Sequence, residues 1–167
     1  MYSKGHAGLT LLITSLLMIP FGINETALII IVFSTGLSSL PDIDMSLRKY
    51  SKLLHHRGPT HSILFALIAG ISFGLLLYYG YGTLYGFGIG FITAFWGVIS
   101  HLIGDMFTYH AFKPLWPFSN KEVALGLCSA SDRSVNEGLI TLGSAAFIFY
   151  LLYNEGIIQE ILQSLFS

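Results

Sequence analysis

Charge is what this chain of 167 residues has least of: 10% are Asp, Glu, Lys or Arg, against 53% apolar. So few charges cannot clothe a water-exposed surface, which excludes an ordinary soluble domain. The formal net charge of -1 offers no basic surface, so nucleic acid is not an expected partner. A single cysteine, Cys128, excludes an internal disulfide framework and a thiolate zinc cluster. Any bound metal must therefore rely on nitrogen and oxygen donors.

What the chain has instead is long apolar runs. Five stand out, at 7–23, 26–40, 62–80, 84–108 and 139–153, each near the length of a bilayer-spanning helix. They are rich in small residues, among them Gly70, Gly74, Gly86, Gly88, Gly90 and Gly97, which let helix backbones approach closely where water cannot drive packing. The predicted fold is all-α: a single integral-membrane domain over 1–167, a polytopic bundle of about five transmembrane helices. The first run follows Lys4 as a signal peptide would. It lacks a clean small-x-small cleavage site, however, and Pro20-Phe21 fits one poorly, so it reads as a retained span.

All eight Lys and Arg residues fall before the first run (Lys4), between the second and third (Arg48, Lys49, Lys52, Arg57) or between the fourth and fifth (Lys113, Lys121, Arg133). Five spans put those segments on one side, which the positive-inside rule makes cytoplasmic, together with the N-terminus. The tail, 154–167, reads as a short acidic amphipathic helix at the opposite interface.

The polar residues converge on the same side. His6 precedes the first run, Pro41-Asp42-Ile43-Asp44 ends the second, and His55-His56-Arg57-Gly58-Pro59-Thr60-His61-Ser62 leads into the third. His101 and Asp105 lie late in the fourth, about 26 and 32 Å along the helix from Leu84 at 1.5 Å per residue. Their i, i+4 spacing sets both on one helix face. Three Asp and up to five His from four segments, at one depth, fit one or two divalent ions.

Each piece also has a plainer reading. Asp42 and Asp44 suit a turn or helix cap after Pro41, and Thr60 or Ser62 suits the cap of the third span. His55 and His56 sit beside Lys52 and Arg57, as in a basic loop on anionic lipid headgroups. The His101 and Asp105 pair could be a buried hydrogen bond, and Asp132-Arg133 and Asn136-Glu137 a helix start or outer contacts to a site. Arg57 in a Gly-Pro turn is a planar, permanently charged donor for phosphate or carboxylate, and equally for a headgroup. The segment Phe112-Lys113-Pro114-Leu115-Trp116-Pro117-Phe118-Ser119 has the aromatics and lysine of a loop at the membrane interface.

Taken together, His6, Leu40-Pro41-Asp42-Ile43-Asp44, His56-Arg57-Gly58-Pro59-Thr60-His61-Ser62, His101-x-x-x-Asp105-x-x-Thr108 and Trp116-Pro117-Phe118-Ser119 resemble the YdjM-like family of prokaryotic inner-membrane proteins. That family is described as LexA-binding and as metal-dependent hydrolases. The resemblance spans most of the chain and departs from the family pattern at Tyr109-His110, where a Gly is expected. A more distant similarity, in the order of its elements, is to the helical zinc-dependent phospholipase C and P1-type nuclease enzymes. In those the N-terminal amine helps bind metal; the matching candidate here is His6.

The expectation is metal-assisted hydrolysis at the cytoplasmic membrane face, of a phosphoester in a lipid or lipid-linked substrate. The expected ligands are His6, Asp42, Asp44, His56, His61, His101 and Asp105. Arg57, His55 and His56 are the expected catalytic groups: Arg57 to stabilise phosphate charge, His55 or His56 to protonate a leaving group or join the ligands. Zinc suits mixed imidazole and carboxylate donors, and manganese or magnesium suit a site dominated by carboxylates. Expected partners are membrane lipids. From a different class, the chain could be a non-catalytic membrane regulator with a structural metal site, whose loops dock a protein partner. A metal-free lipid phosphatase needs a Ser-Gly-His element that the sequence lacks. A transporter needs polar groups reaching the other face as well.

Overall fold

The computed structural model describes residues 1–44 and 57–166. The candidates His55 and His56 lie outside the described residues. Among the described residues six α-helices follow one another: α1 Ser3–Met18, α2 Glu25–Leu37, α3 Ile63–Tyr81, α4 Leu84–Met106, α5 Arg133–Asn154 and α6 Ile157–Phe166. No β-strand occurs among the described residues, and two isolated bridges tie the connection between α4 and α5 together.

Side-chain caps set the helix starts. Asn24 accepts from the backbone N–H of Ala27, Ser62 from Phe65, Thr83 from Gly86 and Asp132 from Val135. Each satisfies a donor that the first helical turn leaves without a partner. Gly82 at φ 68° closes α3 in the left-handed region that suits glycine, so α3 and α4 form a hairpin with almost no loop.

Among the described residues four helical segments are long and apolar enough to cross a membrane: α1 with its 3-10 extension to Phe21, then α3, α4 and α5. The second predicted span is shorter than its apolar run. Helix α2 has 13 residues, about 20 Å at 1.5 Å per residue, and gives way to a 3-10 turn, Leu40–Asp42, with Pro41 in its first turn. The fifth span starts earlier than predicted, at Arg133 rather than residue 139, because Asp132 caps it. The first helix likewise begins at Ser3, which puts His6 inside it.

Helix α4 is the centre, packed against α3, α2 and α1, while α1 also lies along α5. Glycines set the closest approaches: a Cβ on Gly90 would lie 2.6 Å from the Phe73 carbonyl oxygen, and one on Gly143 would lie 2.3 Å from that of Gly8. Outward, large apolar side chains such as Leu67, Ile68, Leu76 and Ile92 are exposed, the surface expected of a bundle whose solvent is lipid. At one end of the bundle the buried residues turn polar, and His6, Asp44, His61, His101 and Asp105 are all almost wholly enclosed.

Candidate metal centre

Four segments meet at that end. His6 comes from α1, Asp42 and Asp44 from the turn after α2, His61 from the 3-10 turn before α3, and His101 and Asp105 from the last turns of α4. Among the described residues two overlapping groups of donors lie close enough to hold an ion, His6 with Asp42 and His101, and His61 with His101 and Asp105.

The distances among four donor atoms are informative. His61 Nε2 lies 3.3 Å from His101 Nε2, and each lies 3.7 Å from Asp42 Oδ1. Asp105 Oδ2 is 3.4 Å from His61 Nε2 and 3.7 Å from His101 Nε2. Each carboxylate oxygen thus closes a triangle with the two imidazole nitrogens whose edges are 3.3–3.7 Å, and the centre of such a triangle lies about 2.1 Å from every corner, close to zinc–nitrogen and zinc–oxygen bond lengths. These same contacts are longer than the roughly 2.7–3.2 Å of a good hydrogen bond. Four atoms so placed suit a shared cation better than shared protons.

Proton placement points the same way. His101 Nδ1 is 2.7 Å from the Ser38 carbonyl oxygen, which can only accept, so that nitrogen carries the hydrogen and Nε2 presents its lone pair. Thr60 Oγ1 donates to Asp44 Oδ2 at 3.1 Å and lies 3.1 Å from His61 Nδ1, so its remaining capacity there is to accept. His61 Nδ1 therefore donates, and its Nε2 also turns a lone pair inward. Two imidazole lone pairs with a carboxylate on either side suit a cation between them.

His6 completes the cluster from the other side. Its ring stacks on His101 with centroids 3.6 Å apart and planes 13° from parallel. Both of its ring nitrogens are buried and lack a hydrogen-bond partner, and its Nε2 is 3.4 Å from Asp105 Oδ1. Such an orphaned buried imidazole fits a place near a cation.

Asp44 holds a different position from Asp42. Its Oδ2 accepts from the backbone N–H of Arg57 and from Thr60 Oγ1, both at 3.1 Å, and lies 3.6 Å from His61 Nδ1. It stands behind His61, where a carboxylate fixes the tautomer and orientation of a ligating ring. Arg57 adopts a left-handed backbone, φ 64°, which its N–H bond to Asp44 helps retain. Its guanidinium donates to Asp105 Oδ1 at 2.8 Å, to Thr108 Oγ1 at 3.1 Å and to the His110 carbonyl oxygen. Asp105 thus turns Oδ2 to His61 and His101, and Oδ1 to Arg57, to the amino group of Met1, 2.7 Å away, and to His6.

A cleft of about 940 Å³ opens onto this end and is lined by Asp42, Asp105, Arg57, Pro59, His110 and Trp116, among others. Asp42 and Asp105 thus connect the buried centre to the cleft. Ser62 and Asp132 act as helix caps, while Asn136 pins the start of α1 by accepting from the Tyr2 N–H at 3.0 Å. Sequence reasoning missed the Ser38 carbonyl, a main-chain contact with no residue signature, and the Arg57 contact of Thr108. The latter was detectable only as the last position of the His-x-x-x-Asp-x-x-Thr pattern.

The fold and this end of the bundle together define a multi-pass membrane protein with a buried His and Asp cluster able to hold a metal ion. The chain belongs to the YdjM inner membrane protein family, whose match covers residues 1–162. Comparisons with curated proteins and with solved structures give no match.

Proposed function

We propose that this inner-membrane protein is a metal-dependent hydrolase, acting at the cytoplasmic face on a phosphoester of a lipid or lipid-linked substrate. The observation that carries the reading is the pair of inward imidazole lone pairs on His61 and His101, with Asp42 and Asp105 each 3.4–3.7 Å from both. His61 and His101 with one of the two carboxylates would hold the ion and leave a position for water, the other carboxylate and His6 lying within reach as further donors. Zinc is the first choice for two imidazoles and two carboxylates, with manganese and magnesium as alternatives. When bound, such an ion activates water and polarises a phosphoryl oxygen.

The chain's own groups would do the rest. Asp44 and Ser38 orient the two inward rings. Arg57, fixed to Asp105 and Thr108 at the wall of the cleft, would present its remaining N–H groups to a phosphoryl oxygen. His55 and His56 remain the proposed proton donors. Sidedness follows the positive-inside rule: Lys4, Arg57, Lys113, Lys121 and Arg133 all flank the site-bearing ends of the helices.

The deep burial of His6, His61 and His101 favours the second reading, a structural ion in a non-catalytic regulator. Against it, Asp42 and Asp105 line the open cleft, as a catalytic ion with a free coordination position requires. Metal analysis of purified protein should find stoichiometric metal that disappears in His101→Ala. Chelation should abolish, and zinc restore, hydrolysis of a phospholipid presented in mixed micelles. Identical turnover by stripped and replete samples would sink the hydrolase reading. Metal retained with no turnover on any phosphoester would leave the regulator.

A further inference from the structure

We infer that the turn over 113–119 is seated in the lipid headgroup layer on the site-bearing side of the membrane and forms a lip through which the cleft opens sideways to lipid. The turn is compact. Trp116 N–H donates to the Lys113 carbonyl at 3.1 Å, and Phe118 and Ser119 both donate to that of Leu115, at 2.8 and 3.0 Å. Yet it turns its largest apolar groups outward: Leu115 is 49% exposed, Trp116 37% and Phe118 85%. Three large apolar residues within four positions make a patch that water does not favour.

The occupant follows from what the turn is attached to. The Pro114 carbonyl accepts from the N–H of Ile63 at 2.8 Å, and Ile63 is the first residue of the spanning helix α3. That helix continues the apolar surface with Ile63, Leu67 and Ile68, all exposed. The patch is thus continuous with the lipid-facing wall of the bundle and begins where that wall ends. Its chemistry is that of the interfacial layer, with Trp116 and Phe118 for the acyl boundary and Lys113 and Lys121, on long flexible stems, for headgroup phosphates.

Trp116 also lines the cleft, together with Pro59, Lys113 and Arg57. A residue shared by the lip and the cleft wall gives a molecule already in the leaflet a short path to Arg57 without entering the aqueous phase. This deepens the proposed function by assigning the substrate to the membrane-resident class; the depth of the turn itself does not depend on catalysis.

The test uses the full chain in lipid nanodiscs, where both faces are open to solutes. The chain has two tryptophans, so Trp96→Phe leaves Trp116 alone, and the difference between wild type and Trp116→Phe gives the same signal by subtraction. Phosphatidylcholine brominated near the top of its acyl chains should quench Trp116 severalfold more steeply than aqueous iodide does. The reverse pattern would overturn the inference and hand the patch to a protein partner. A result with no metal dependence would end the hydrolase reading and leave this quenching pattern as it is.

Discussion

Helix α4 makes two interfaces of opposite character. Toward α3 it is dry: Ala66, Ala69, Ala94 and Val98 form a buried cluster, and Gly70 and Gly74 sit under Phe91 and Phe87. Toward α1 it is laced with polar contacts, Trp96 Nε1 to Thr14 Oγ1 at 2.8 Å, Thr10 Oγ1 to Ser100 Oγ at 2.6 Å, and then the stacked rings of His6 and His101. In a membrane no hydrophobic force pulls helices together, so the first interface must rely on close backbone approach. The second gains little from its hydroxyls individually, and its polarity increases toward the donor cluster. One helix therefore separates the work of holding the bundle from the work of shaping the site.

Substitutions can break that separation. The largest effect is expected on the dry side. A valine at Gly90 would drive its Cβ into the backbone of α3, where the Phe73 carbonyl oxygen is 2.6 Å from that position, whereas Gly88, on the same helix, has nothing within 4 Å. Gly90→Val should yield no monodisperse protein in detergent, and Gly88→Ala should elute as wild type. Equal behaviour of the two would show that glycine contact does not hold α3 to α4.

The next effect belongs to the site. Asp44→Asn keeps the volume but removes the charge behind His61, and an outer partner of a ligand is worth about 10–100-fold in metal affinity. Calorimetric zinc titration should report a loss in that range with the thermal transition little changed. An unaltered affinity would remove Asp44 from the support of His61.

The smallest effect is expected midway along α1. Thr14→Val deletes the acceptor of the Trp96 indole N–H, and hydrogen bonds between membrane helices average about 0.6 kcal/mol. Reversible denaturation in mixed micelles should register a change of that order. A collapse comparable to Gly90→Val would mean that the polar side, too, holds the bundle together.

The local features were legible in the sequence because their causes are local. Apolar runs near spanning length, Ser62 as the cap of α3 and Asp132-Arg133 at the start of α5 are properties of a few consecutive residues. So is the i, i+4 pair of His101 and Asp105. Boundaries were less legible: α2 stops at Leu37 although the predicted span extends past Ser38 and Ser39 to Leu40, and α5 begins before its apolar run because a cap outweighs hydropathy there. The different positions of Asp42 and Asp44 could not be read at all. Both are carboxylates two residues apart, and only the packing of the turn against His61 puts one in front of the ring and the other behind it.

Composition and periodicity determined by themselves that this chain is a helical membrane bundle with its polar residues gathered at one end, since insolubility in water and helix-length apolar runs leave few other folds. Tertiary structure alone decided which lone pairs face one another, that Arg57 leans on Asp105 and Thr108, and that Trp116 lines the cleft while staying partly exposed. Those relations join residues tens of positions apart, and helix packing, which no single stretch of sequence encodes, sets their distances.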